Sequence, residues 1–280
     1  MFDSYPPKSV VVGVDGSQAA IRAVRWAVDE VAGTDIPLRL LYVVRMDPHA
    51  SPLTARAALA AAEAVVDEAY GAVEALGRHV KVETEVRDGE PVPTLVAASR
   101  STGLLCVGDT GAAQHPEGWL GSTARKLAQS AHCSVAIVRG ARDAADATDR
   151  SWIVACVDGS PEDVDVLEVA LGEAVRRQAR LRVVTEQEPG EVSDGDGAGA
   201  ILDPHLVRCL DGYPDVHVDT VALHGLFRDY LAEHAAFIQL VMVGAARTAE
   251  VRQLLGRDGA PALRGSDFSL LIVGPDRPGR

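Results

Sequence analysis

The same short stretch occurs twice in the chain, as VVGVDGS at Val11–Ser17 and as VACVDGS at Val154–Ser160. In each case an apolar run typical of a buried strand leads into an Asp-Gly-Ser turn, and a helical pattern follows it. A unit that repeats at this separation indicates two copies of one domain in tandem. The length of 280 residues fits two ordinary domains better than one.

The ends of the two copies also correspond. Copy one closes with GSTARKLAQSAHCSVAIVRG at 121–140, and copy two closes with GRDGAPALRGSDFSLLIVG at 256–274. The interval from the Asp-Gly-Ser turn to the first glycine of these stretches is 106 residues in copy one and 98 in copy two, so copy two is shorter inside. We expect the deletion near the glycine-rich stretch 188–200. The polar stretch 141–150 predicts a boundary between two domains. We expect the first domain to span 1–143 and the second to span 150–280.

Apolar runs alternate with helical patterns in both copies, which predicts an α/β fold with parallel strands and right-handed crossovers. We expect two tandem, open, doubly wound, Rossmann-like sheets of five parallel strands each, in the order 3-2-1-4-5. In copy one the predicted strands are 9–14, 37–44, 79–86, 103–108 and 134–139, and the predicted helices are 18–32, 51–77, 91–101 and 121–131. In copy two the predicted strands are 152–157, 180–185, 215–221, 238–243 and 269–273.

Composition excludes several classes of protein. The formal net charge of −13 repels a phosphate backbone, and without a strong basic patch no nucleic-acid partner is expected. No apolar run approaches the roughly 20 residues of a membrane helix, so no membrane partner is expected. The N-terminal stretch lacks the apolar core of a secretion signal. No two of the four cysteines have CxxC spacing, which favours reduced packing cysteines and a cytoplasmic protein.

Ligands of an open α/β sheet bind beyond the strand ends where the strand order reverses, which here lies between strands one and four. Strand one ends at Asp15, and strand four ends in Gly108-Asp109-Thr110-Gly111, followed after nine residues by Gly121-Ser122. Glycine permits positive φ and close approach of a ligand to the backbone. A helix start at Ser122 and Thr123 favours phosphate. The alternative is a glycine-rich loop followed by an ordinary helix cap.

The spacing Gly-x2-Gly-x9-Gly-Ser, placed after VGVDGS and before HCSVAIVR, resembles the universal stress protein family, and the resemblance covers nearly the whole chain as a tandem-domain member. It implies the five-stranded doubly wound fold and, as in many members, a bound ATP. By position, Asp15 would contact the ribose or adenine side, and Val43 would offer backbone atoms to adenine. The implied nucleotide-binding set is Gly13, Val14, Asp15, Val43, Val107, Gly108, Gly111, Gly121, Ser122 and Thr123.

Asp109 departs from the family pattern, because it places a carboxylate in the phosphate loop. We expect that charge to weaken triphosphate binding unless Mg²⁺ bridges the two groups. ADP, AMP or a cyclic nucleotide therefore remain alternatives to ATP, and Asp109 is the one candidate metal contact. No Ser-His-Asp order, metal-ligand cluster or Walker motif indicates catalysis.

Copy two does not keep the loop. Arg247 stands where the second glycine is expected, Arg257 replaces the serine, and Gly259 and Pro261 interrupt the helix start. A positive φ at Arg247 would be costly. Its arginines, with Arg252, form either an anion site or a solvated surface, and we favour the surface.

Three functions are compatible with these patterns: a nucleotide-binding regulatory protein with one ligand per chain, an interaction module with a relic loop, or a slow ATPase. The resemblance further implies that the two domains meet through their last strands as an intrachain pseudo-dimer. A homodimer of the whole chain stays open.

Overall fold

The computed structural model describes residues 9–112, 120–140, 151–158, 160, 163–186, 209–247, 250–251, 254 and 266–274. These residues fall into two compact units, which lie within Met1–Arg139 and Gly140–Gly274. The predicted boundary at 141–150 and the predicted deletion at 188–200 lie outside the described residues.

The first unit alternates strands and helices throughout. Its elements are β1 (Ser9–Val14), α1 (Gln18–Val31), β2 (Leu38–Val44), α2 (Pro52–Glu74), β3 (Val82–Asp88), α3 (Pro91–Ala98), a 3-10 turn (Ser99–Ser101), β4 (Thr102–Gly108), α4 (Ser122–Ser130) and β5 (Ser134–Val138). All neighbouring strands are parallel, in the order β3-β2-β1-β4-β5. The predicted order 3-2-1-4-5 is confirmed for this unit.

The second unit repeats the strand order. Its described elements are β6 (Trp152–Val157), α5 (Asp163–Arg177), β7 (Arg180–Glu186), β8 (Val218–Leu223), α6 (Phe227–His234), a 3-10 turn (Ala235–Phe237), β9 (Ile238–Gly244) and β10 (Ser269–Val273). Its parallel strands lie in the order β8-β7-β6-β9-β10, which is again 3-2-1-4-5 within the unit.

Strand positions deviate from the prediction mainly at β3 and β8. Strand β3 begins at Val82 and β8 at Val218, each three residues later than predicted. Both lie at the outer end of their unit's order, and their residues are largely half-buried or exposed. Because no continuous buried run marks where these strands begin, the sequence carries little information about their limits.

The first sheet has helices on both faces. Strands β1 and β4 are almost fully buried, as expected for parallel strands in the middle of such a sheet. Right-handed crossovers carry α1 and α2 over one face, where they pack on each other, and α3 and α4 over the other face, where they also pack together. The chain therefore leaves β1 and β4 toward opposite faces.

Helix α1 begins at a turn that requires glycine. Gly16 has φ +79°, a conformation that residues with a Cβ rarely adopt. The hydroxyl of Ser17 then caps the helix by accepting the N–H of Ala20 at 3.1 Å. This hydrogen bond helps to fix the direction in which α1 leaves β1.

We predict that Gly108→Ala destabilises the fold. A Cβ at position 108 would lie 2.6 Å from the backbone carbon of Ala19 in α1, so α1 would have to move away from β4. Overpacking of this kind costs about 1–3 kcal/mol. Urea unfolding measures the loss.

Gly71→Ala is the matched control, because a Cβ there meets nothing within 4 Å. Alanine inside a helix should raise the free energy of unfolding by about 0.5–1 kcal/mol. If Gly108→Ala were as stable as the parent, the close contact of α1 with β4 would be contradicted.

Candidate functional site

A cavity of about 290 Å³ lies at the carboxyl ends of β1 and β4 in the first unit. It brings together all ten residues that the sequence predicted to bind a nucleotide, although their individual roles stay predictions. The ten are Gly13, Val14, Asp15, Val43, Val107, Gly108, Gly111, Gly121, Ser122 and Thr123.

Gly13 opens a gap in one wall of the cavity. It pairs with Leu41 on β2, and a Cβ on Gly13 would lie 3.3 Å from Val107 on β4 and 3.4 Å from Leu95 on α3. Every other residue of β1 after Ser9 is a valine. A glycine here leaves a narrow apolar space between the side chains of neighbouring strands, and glycine in a strand often marks such a place of close approach.

The start of α4 also lines the cavity. Gly121 occupies the cap position, so no side chain covers the N–H groups of the first turn, unlike the serine-capped α1 and α2. The N–H of Gly121 itself donates to the carbonyl of Asp109 at 2.7 Å, which closes the loop between them. Ser122 and Thr123 therefore present an uncapped, partly positive helix end to the cavity.

The loop glycines do not adopt the positive φ that glycine permits. Gly121 has φ −59°, and neither Gly108 nor Gly111 lies in the positive-φ region. Close approach explains two of these glycines instead. Gly108 packs against α1, and a Cβ at Gly111 would lie 2.9 Å from Oδ2 of Asp15.

Asp15 joins the two loops beside the cavity. Its Oδ1 accepts the N–H of Ser17 at 3.0 Å, and its Oδ2 accepts the N–H of Ala112 at 3.0 Å. Both oxygens of this exposed carboxylate are thus engaged by backbone N–H groups, one from each loop. The carboxylate holds the turn after β1 to the loop after β4.

Asp109, in the loop after β4, is paired with two arginines. Its carboxylate lies 3.3 Å from Arg22 on α1 and 3.8 Å from Arg139 after β5, and Asp109 is not among the residues that line the cavity. The two guanidinium groups offset its charge. Asp109 therefore does not present an unpaired carboxylate to the cavity, and its effects on phosphate and Mg²⁺ binding stay predictions.

Seven further residues line the cavity that sequence reasoning missed. Two of them could have been predicted from their position in the sequence. Leu41 is the strand neighbour of Gly13, and Pro91 begins the helix after β3. The seven are Ala20, Leu41, Pro91, Leu95, Thr110, Ala112 and Ala124.

The comparisons with known proteins agree with this geometry. Residues 7–139 match the model of the universal stress protein family. Universal stress protein Rv2028c of Mycobacterium tuberculosis (strain ATCC 25618 / H37Rv) is 43% identical over 276 residues, which cover 98% of this chain and 99% of that protein. The chain belongs to the universal stress protein family.

Two further similarities extend over almost the whole chain. Universal stress protein Rv2624c from the same strain is 38% identical, covering 95% of this chain and 96% of that protein. The crystal structure of a universal stress protein from Archaeoglobus fulgidus DSM 4304 shares the fold with a TM-score of 0.71 at 17% identity, covering 97% of each chain. Within the described ranges, no helix combines the length and apolar character needed to span a bilayer.

In the second unit of this universal stress protein, an arginine occupies the loop position that corresponds to Gly111. Arg247 follows Gly244 at the same spacing as Gly111 follows Gly108. Its side chain is only 8% exposed, and its guanidinium lies 3.1 Å from Oδ2 of Asp158 and 3.3 Å from Oε1 of Glu250. The expectation that Arg247 lies on a solvated surface, or in an anion site, is wrong, because carboxylates surround it.

Backbone conformation at Arg247 is also ordinary. Among the described residues other than glycine, Gln178 alone has a positive φ, so Arg247 carries no such strain. Arg252, Arg257, Gly259 and Pro261 lie outside the described residues.

Asp158 repeats the turn of Asp15 in the second unit. Its Oδ1 accepts the N–H of Ser160 at 2.9 Å, as Asp15 accepts that of Ser17. Partial burial acts to raise its pKa, but the hydrogen bonds from Ser160, the contact with Asp163 and the charge of Arg247 together hold the pKa of Asp158 below its ordinary value of 3.8.

We predict that Arg247→Met raises the pKa of Asp158 toward 3.8 without returning it fully, because the hydrogen bonds of Ser160 remain. The ion pair contributes stability when Asp158 is ionised, and this contribution is lost as the pH falls through the lowered pKa. The carboxyl ¹³C shift of Asp158, followed by NMR as the pH falls, measures the change. An unchanged midpoint would show that Arg247 does not interact with Asp158 in solution.

Proposed function

We propose that the first unit binds an adenine nucleotide, with ATP the favoured ligand, and that the chain acts by this binding in a stress response or its regulation. One observation carries the proposal: a single cavity joins an apolar gap at Gly13 to an uncapped helix end at Ser122. A nucleotide matches this arrangement, because its flat base suits the apolar gap and its anionic phosphates suit the helix end.

The base is proposed to enter the gap at Gly13. Leu41, Val107 and Leu95 border this space, so a purine ring placed there contacts aliphatic side chains. Val43, at the same end of the cavity, offers its backbone to the edge of the base. Adjacent backbone amides and carbonyls give orientation in sites of this apolar type.

The phosphates are proposed to meet the start of α4. Free N–H groups and the positive end of the helix dipole favour an anion there, and Ser122 and Thr123 add hydroxyl groups. The arginines beside Asp109 remove the repulsion that this carboxylate would otherwise exert. Mg²⁺, if it takes part, would arrive bound to the phosphates, and ADP, AMP and a cyclic nucleotide stay as alternative ligands.

The second unit is proposed to bind no nucleotide. Position 247, where the first unit has a glycine, carries a buried arginine whose guanidinium already contacts two carboxylates. The role of this unit would then be structural or regulatory. We propose that the protein is cytoplasmic, in keeping with four cysteines of which no two have CxxC spacing.

Two other functions remain testable. A nucleotide-free interaction module would leave the cavity empty in a titration with any adenine nucleotide. A slow ATPase would form ADP faster than a variant that has lost the loop.

We predict one adenine-nucleotide site per chain. Calorimetric titration of the full-length protein with ATP should saturate at one equivalent, because among the described residues the open cavity and the glycine-started helix belong to the first unit. Arg247→Met in the second unit should leave both stoichiometry and affinity unchanged. Two equal sites would contradict the proposed division between the units.

We predict that Gly121→Val lowers nucleotide affinity at least tenfold, about 1.4 kcal/mol. A Cβ at position 121 already lies 3.3 Å from the carbonyl of Asp109, so a branched side chain displaces the loop that faces the phosphates. Calorimetry measures affinity, and circular dichroism checks that the sheet is intact.

Gly172→Val in the second unit is the matched control, since a Cβ there meets nothing within 4 Å. It should bind ATP as the parent does. If Gly121→Val folded and bound ATP with parental affinity, the loop would not belong to the binding site. The interaction-module hypothesis would then be favoured.

A further inference from the structure

We propose that Asp15 is a positioning residue, which fixes the loop after β4 in its binding shape, and that Gly111 is a glycine to make room for this carboxylate. The inference rests on the proposed nucleotide site and specifies how that site is held open. It differs from the role that the family resemblance implies, in which Asp15 contacts the ribose or adenine side directly.

The first argument is the geometry of Asp15. Its two oxygens accept one N–H from each of two loops, Ser17 and Ala112, both at 3.0 Å. The second bond joins residues 97 positions apart. Hydrogen bonds to an ionised carboxylate are stronger than those between neutral groups. This one side chain therefore connects the turn after β1 to the loop that borders the cavity.

The second argument is the glycine at 111. Its backbone is not in the positive-φ region, so conformation alone does not require glycine there. A Cβ would instead lie 2.9 Å from Oδ2 of Asp15, closer than real Cβ contacts allow. The atom that would be displaced is the one that holds Ala112. Asp15 and Gly111 thus act as a pair.

The third argument comes from the second unit. There the equivalent carboxylate, Asp158, keeps the turn hydrogen bond to Ser160, and its other oxygen meets the guanidinium of Arg247. The connection between the two loops is present in both units, made by a backbone N–H in one and by a side chain in the other. The second unit is proposed to bind no nucleotide, yet its two loops are still connected. This connection therefore serves the structure and does not depend on a ligand.

The consequence for binding is local. Thr110, Gly111 and Ala112 all line the cavity, and the bond from Asp15 sets their position relative to β1. Loss of the bond should therefore disturb the part of the ligand that lies against this loop and the start of α4. The base, held between strands, should be affected much less.

A double-mutant cycle with ADP as the probe tests the pairing of Asp15 with Gly111. We expect Gly111→Ala to weaken ADP binding about tenfold in the parent and less than about twofold in the Asp15→Ala background, because the carboxylate that the methyl group displaces is then absent. Gly71→Ala, in α2, is the control and should have no effect on binding. Equal losses in both backgrounds would overturn the proposal, since Gly111 would then serve the ligand directly.

The choice of ligand separates positioning from direct contact. Asp15→Asn leaves one side-chain oxygen to accept the N–H groups of both Ser17 and Ala112. Because the loop that faces the phosphates is then less well fixed, ADP binding should weaken much more than adenosine binding. If Asp15 contacted the ribose, adenosine would lose as much as ADP, and the proposal would be wrong.

Amide hydrogen exchange in the nucleotide-free protein tests the contact by itself. Exchange at Ala112 should be slow in the parent and at least tenfold faster in Asp15→Ala, with the amides of β1 unchanged. Unchanged exchange at Ala112 would overturn the proposal. If the parent bound neither ADP nor adenosine, the proposed function would fail, and this exchange experiment would still decide whether Asp15 fixes the loop.

Discussion

The adjacency of β1 and β4 is the constraint on which the first unit depends. These parallel strands lie side by side, and the connections that follow them pass to opposite faces of the sheet. A space between the two departing loops is unavoidable in this topology. Gly13 deepens the space and Gly108 lets α1 approach β4 closely, so the shape of the cavity follows from strand order together with two small residues.

The interior of the fold was predictable from the sequence because it depends on continuous apolar runs. The buried strands β1, β4, β6 and β9, and the helices α1 and α4 of the first unit, were predicted within a residue or two of their limits. The outer strand β3, with charged side chains such as Glu83, Glu85 and Arg87, has no such run and was misplaced. Ten of the seventeen residues that line the cavity were also predicted, from the located strand ends and the family resemblance together.

What the sequence could not provide was the choice of partner for each polar group. Asp109 and Arg22 are 87 residues apart, and only the packing of α1 beside β4 brings them together. The same holds for Arg247 and Asp158 in the second unit. Glycine in this loop permitted either positive φ or close approach of a ligand, and the structure shows that space next to α1 and Asp15 explains two of the glycines. Short-range patterns indicate that a residue is special, but its reason often lies in a distant segment.

An acidic chain can still hold an anion, because the relevant charges are local. Exposed charges more than about 8 Å away are largely screened at physiological ionic strength, so the net charge of −13 says little about the field inside the cavity. Near the loop, the guanidinium groups of Arg22 and Arg139 both lie beside the carboxylate of Asp109 and offset its charge. The second carboxylate there, Asp15, is held by two N–H groups. With the uncapped end of α4 beside them, the balance of these groups favours negative charge at one end of the cavity only, and this asymmetry orients a ligand that is apolar at the other end.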